Sequence, residues 1–588
     1  MPRLIPTVFL LASVTLVAQV REPLGKISFP NSGSAAAQAE FIRGLAWLHS
    51  FGYEDAIDRF RAAQKIDPNF VMAYWGEAMS FNQPLWFGEE PDRGRAALLK
   101  LGPTPAARAA KARTVREQMY LAAVEALWGP GSKAARDKAH SDGMAALVAK
   151  FPQDDEAQAF YALSLLAMLP RGDQALPIRQ KAGAIVEGVF QRNPQHPGAA
   201  HYIIHAYDHA QLAPRAVDAA RVYAKIAPAA SHALHMPAHT FVQLGMWDDA
   251  AATDQASWDA SIQWVNRRKL SIAARDYHSL SWLQYAWSQQ GRFTRAREAI
   301  QLIEQATKAA GSGEQVGGHH YADSEIGRGS GAAALRNDRG SMRARYIIES
   351  ERWSEMQGQG SFDNIDELFA LGMSAWKLGD DKRLFAAVGE FEKLVKSPPS
   401  PEVREQATVM LHELGALLML SQGDSKEAFA AMERATAAQA RMPKPIGRPY
   451  PVKGADELYA ELLLGAGRAK EAVAWFERTL TRTPNRSRAV LGLARAAAKA
   501  GDTVKSRAAY KQVLANWRTA DAGLPELAEA HAALGGKYRT RSLHSRDTDA
   551  LAPLARQGRL APLADQDPAV CAIPLIARAE RARPHRRA

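Results

Sequence analysis

Apolar residues along this chain recur three and four positions apart, and small residues interrupt them at regular intervals. That period gathers the apolar positions on one face of an α-helix. Phe41–Asp67 reads FIRGLAWLHSFGYEDAIDRFRAAQKID, which predicts a helix, a turn at Gly52-Tyr53 and a second helix closing at Ile66-Asp67-Pro68. Another copy opens at Phe70 with FVMAYWGEAMS. The same punctuation returns in LGMWDDAAATDQA from Leu244, QGRFTRAREAI from Gln290, LGDDKRLFAAV from Leu378, QGDSKEAFAAM from Gln422, GAGRAKEAVAWFERTLTRTP from Gly465 and AGDTVKSRAAYKQVL from Ala500. No long alternating segment appears, so the expected fold class is all-α.

These helix–turn–helix units, with small residues where two helices touch, resemble the tetratricopeptide (TPR) repeat. The resemblance runs roughly from Ala36 to Trp517, with irregular stretches at Gln83–Val115 and Lys308–Ser330. It implies a TPR-like helical-repeat solenoid, a right-handed superhelix over residues 36–535. A chain of 588 residues is too long for one compact core, and stacked repeats escape that limit. The resemblance also implies a concave groove, lined by the first helix of each repeat, that takes a protein or peptide partner.

Composition adds detail at both ends. Arg3 followed by the apolar run VFLLASVTLV and the small Ala18 reads as a signal peptide over residues 1–18, with a short linker over 19–35. The expectation is therefore an exported protein, periplasmic or extracellular, with no integral membrane segment after cleavage; an uncleaved anchor is the alternative. Cys571 is the only cysteine, which rules out an intrachain disulfide. The net charge of +12 is concentrated in part in KYRTRSLHSR and RARPHRRA, within a basic, partly disordered tail over 536–588. Such tails are solvated more often than they read sequence, so nucleic acid is not expected as a partner.

Chemistry is suggested in one place. His201, His205 and His209 lie in HYIIHAYDHA, and His232, His235 and His239 in SHALHMPAHTF, at helical spacing. Residues four apart share a helix face and can bring two imidazoles to one ion or anion. The small residues Ala216, Ala250 and Ala296 give a register. His201 and His235 each precede their alanine by 15 positions, His205 and His239 by 11, and His232 and His278 by 18. Equivalent places in adjacent repeats thus carry histidine three times, and the TPR resemblance points all three into the groove.

Nitrogen-rich ligation suits Zn or Cu, or Ni or Fe, and argues against Ca or Mg. His201/His205 or His205/His209 would act together, joined by His235 or His239. Asp208 and Asp276 are candidates for a carboxylate ligand or for an acceptor that orients an imidazole. Pro237 clashes with a continuous helix from Ser231, so that helix kinks or starts near Met236. Glu77 is a candidate for the groove lining, and His319-His320 in a Gly-rich loop for a lid, with a plain surface loop favoured. Tyr74, Trp75, Phe81 and Trp86 are expected to pack helices. No HExxH, Walker or GxSxG motif is present.

Three readings stay open: an exported TPR protein binding a transition metal, or a ligand through it; a protein-interaction scaffold without metal; and a metal-dependent hydrolase. The last lacks a general base at fixed spacing from the histidines.

Overall fold

The computed structural model describes residues 23–86, 88–170, 172–311 and 331–536, and of residues 172 and 173 only the backbone. The expected signal peptide, His319, His320, Cys571 and nearly all of the basic tail lie outside the described residues. Within them, helix follows helix from Gln38–His49 and Tyr53–Ile66 to Thr503–Asn516 and Pro525–Ala533. Strand pairing among the described residues is a two-residue hairpin, Asn82–Gln83 against Gly88–Glu89, at the start of the stretch expected to be irregular. No helix among the described residues is long and apolar enough to cross a membrane.

Successive helices of the repeats pack on one another, and first helices also touch first helices one repeat on, as Gln38–His49 does Val71–Met79 and Ala455–Gly465 does Ser487–Ala500. That is the contact pattern of a solenoid. Small residues make it dense. The Phe60 ring lies between Gly44 and Gly76, and a Cβ on either glycine would come within 3 Å of it. The turn glycines Gly245, Gly291, Gly379, Gly423, Gly467 and Gly501 all have positive φ, ending one helix so the next can reverse.

The solenoid closes back on itself. Trp247 Nε1 donates to the Asn485 carbonyl, Asn485 returns a bond to Gly245, and Ser487 is held by Gln289. Near the N-terminus, Trp264 and Arg268 bond Asp55. The irregular segment 442–454 is drawn over Trp282, where Gly447 sits at φ 118 with its Cα against the indole.

Candidate metal centre

Four helical segments build the site. His201 and His205 lie on Pro197–Ala206, which His196 caps by accepting from the Ala199 amide and Pro197 opens. His232 and His235 lie on the short Ser231–His235 helix. Pro237 interrupts that helix: Met236 links it to Pro237–Gln243, where the proline takes the first position and costs no hydrogen bond. His239 belongs to this second piece. His278 opens Tyr277–Gln289.

The six side chains form two sets of three. In the first, His201 Nε2 is 3.0 Å from His205 Nε2 and 3.0 Å from His232 Nε2. In the second, His235 Nε2 is 3.1 Å from both His239 Nε2 and His278 Nε2. Within each set all three ligand atoms fall within 4.8 Å of one another. A tetrahedral ion with bonds of about 2.0–2.1 Å to nitrogen needs ligand atoms roughly 3.3 Å apart, so small shifts would seat one. Each set combines the two histidines of one repeat with the histidine 18 positions ahead of the next repeat's alanine, so His232, and not His235 or His239 as expected, joins His201 and His205.

Hydrogen bonds on the far side of the rings assign the tautomers. His201 Nδ1 donates to the His49 carbonyl at 2.6 Å, since a carbonyl can only accept. His239 Nδ1 lies 2.8 Å from Asp208 Oδ2, and His235 Nδ1 lies 2.7 Å from Asp254 Oδ1. Gln243 donates to the other Asp208 oxygen. With both carboxylates ionised, His235 and His239 carry their protons on Nδ1 and turn their Nε2 atoms toward each other, 3.1 Å apart, where a cation would bridge them. Burial, with Asp276 nearby and Arg448 opposing, pushes the Asp254 carboxyl well above its usual range.

Burial also drives His201 down to about 3 and His205 well below its ordinary value, so both are neutral, as metal ligation requires. Aromatic rings wall the site. Phe51 lies 4.4 Å from His201 and 5.3 Å from His232, Trp86 is 5.5 Å from His232, and Trp282 is 4.5 Å from His239.

Several expectations need correction. His209 is not brought to either set: its helix ends at Ala206, and its Nδ1 accepts from the Gln211 amide in the following turn. Asp276 orients no imidazole; it caps Tyr277–Gln289 and bonds Ser279 and Ser257. Glu77 does not line the site but is buried among Arg61, Gln64 and Lys100. Of the proposed carboxylates only Asp208 holds a histidine. Trp75 packs on Tyr120 and Phe160 as expected of a helix-packing residue.

Sequence reasoning missed Asp254, the His49 carbonyl and the cover from segment 442–454. It also missed a third group, His49, Glu156 and His196, whose ligand atoms lie equally close. That group is a satisfied network. His196 Nδ1 accepts from the Ala199 amide, so its Nε2–H donates to Glu156 at 3.1 Å, and His49 Nε2 lies 2.7 Å from the other oxygen. Tyr202 hydroxyl bonds His49 Nδ1. Burial pushes Glu156 up, but the two imidazoles outweigh it and hold the carboxylate at about 2.

No family model matches the sequence, and no curated protein matches it. Solved structures that it is similar to include the human IFIT1 dimer with m7Gppp-AAAA, at 12% identity over 84% of this chain and 92% of that one, with a TM-score of 0.30. The P58(IPK) TPR domain shares 14% identity over 80% of this chain and 100% of that one, with a TM-score of 0.20. The APC/C hetero-tetramer Cut9-Hcn1 shares 11% over 73% and 84%, with a TM-score of 0.28. Scores this low say nothing of function. The chain is a TPR-like helical-repeat protein, all-α, by its own stacked helix pairs.

Proposed function

We propose that this is an exported TPR-like protein that binds a transition metal, Zn or Cu, through its two trihistidine sets. One observation carries the reading: carboxylates fix the far nitrogens of His235 and His239, leaving their near nitrogens face to face with a cation's place between them. Imidazoles anchored through Nδ1 to carboxylate or carbonyl are the usual surroundings of a metal-bound histidine. Elemental analysis of protein purified without a histidine tag tests it. Stoichiometric Zn or Cu, lost when His205→Ala and His239→Ala are combined, is expected. No metal on isolation and no uptake on titration would overturn it.

The TPR-like fold by itself suggests a protein-interaction scaffold. The burial of His201, His232 and His235 argues against using these six histidines for a peptide, because a docking chain needs exposed groups to contact. A partner would instead meet the outer residues of the solenoid, a role compatible with a bound metal.

A further inference from the structure

Building on the metal reading above, we propose that the two trihistidine sets hold two copper ions side by side, and that the pair binds dioxygen between them.

The proposal rests first on how close the sets are. Across them, the rings of His205 and His239 are 6.3 Å apart and those of His232 and His235 are 6.4 Å apart. Within single sets, His205–His232 is 6.0 Å and His239–His278 is 6.5 Å. At their nearest rings, the two sets thus approach each other about as closely as the more distant members of one set do. Two ions seated here fall within reach of a single bridging ligand, as in two-metal centres with ions roughly 3.5–4 Å apart. The repeat explains the pairing: one ligand pattern is used twice, in adjacent repeats, and stacking makes the copies neighbours.

The donor set selects the metal. All six ligands are imidazole nitrogens. No carboxylate sits among them; Asp208 and Asp254 are spent on Nδ1 atoms behind the rings. Carboxylate-rich pairs suit Mg or Mn, whereas imidazole suits Cu and Zn, with Cu(II) the tightest of the divalent series. Coordination narrows it further. Three nitrogens apiece behind walls of Phe51, Trp86 and Trp282 provide a low-coordinate, water-poor place that suits Cu(I).

The step balances without another reagent. Each Cu(I) gives one electron to dioxygen, whose double bond becomes a single bond; two Cu(II) ions then share a bridging peroxide, and no proton is needed. The open edge lies at His205 and His239, the half-buried members of the two sets.

The test loads full-length, untagged protein with Cu(I) without oxygen, counts copper per chain, then measures oxygen uptake and the electron paramagnetic resonance (EPR) spectrum. Two coppers per chain, one dioxygen taken up per pair and an EPR-silent product are expected, because two bridged Cu(II) spins cancel. His205→Ala, at a partly exposed position, should keep one copper that becomes EPR-visible on oxidation by a chemical oxidant. Two coppers that show full Cu(II) EPR intensity once oxidised, or no oxygen uptake, would overturn the coupled pair while leaving metal binding intact. A single metal per chain would do the same. No uptake of copper or zinc at all would overturn both readings.

Discussion

His201 Nδ1 meets the carbonyl oxygen of His49 at 2.6 Å, joining residues from the first and a much later repeat. The side chain of the same His49 is locked by Glu156 and Tyr202. The first helix is thereby pinned at its last residue, and the carbonyl that fixes the His201 tautomer cannot drift. A buried structural network thus supports the candidate centre from behind.

Glu156→Gln should expose that dependence. The amide nitrogen would face an imidazole N–H, replacing a charge-assisted bond with a donor–donor contact. Losing one partner of a buried charged network costs about 3–5 kcal/mol. Denaturant unfolding should show that loss, together with weaker metal binding in the fraction that remains folded. Unchanged stability would mean the network is not ionised as described.

Asp208→Ala leaves all six metal-facing nitrogens in place and removes the acceptor behind His239, together with the one that Gln243 uses. Freed of it, the ring is no longer held in one tautomer or orientation. Loss of such an acceptor typically weakens metal affinity 10–100-fold. Titration with Zn or Cu against a competing chelator should show that drop with little change in helicity. An unaltered affinity would show that Asp208 does not orient a ligand.

Gly447 is the point where segment 442–454 crosses Trp282. Its φ of 118 strains any residue with a side chain, and a Cβ there would come to 2.2 Å from the indole. Gly447→Ala must therefore lift the segment or push Trp282, which lies against His239 and His235. Tryptophan fluorescence should shift to the red as water enters, and metal should dissociate faster. Should both stay as in the parent protein, the segment does not cover the centre.

Much of this was legible in the sequence, and the residues that escaped it share a cause. Periodicity and turn glycines located the helix pairs because each repeat is a local unit. The alanine register paired His201 with His235 and His205 with His239 because solenoid neighbours repeat their geometry. His209 misled because spacing alone cannot tell where a helix ends, and Tyr207 ends this one. Asp254, the His49 carbonyl and Gly447 reach the centre from a second helix, from the first repeat and from an irregular segment. Those approaches depend on how the solenoid closes, which no local pattern encodes.

Acidification should destabilise the metal-free protein, and the sign follows from burial. Desolvation holds His201 near about 3 and also lowers His49, His140 and His205, so the folded chain keeps these rings neutral. Once unfolded they regain the ordinary value near 6.5 and take up protons below it. The unfolded state then binds more protons, and each such histidine removes about 1.4 kcal/mol of stability per pH unit as pH falls from 6.5 toward its folded value. Stability present above about pH 6.5 is thus lost steadily on the acid side. Protons also compete with metal for the same nitrogens, so the extra stability given by Zn or Cu should shrink over the same range. Urea unfolding at pH 7.5, 6.5 and 5.5, with metal and with chelator, measures both slopes at once. A flat profile for the chelated protein would mean these imidazoles are charged or exposed when folded. A metal contribution that grows on acidification would mean the ion is held by some other group.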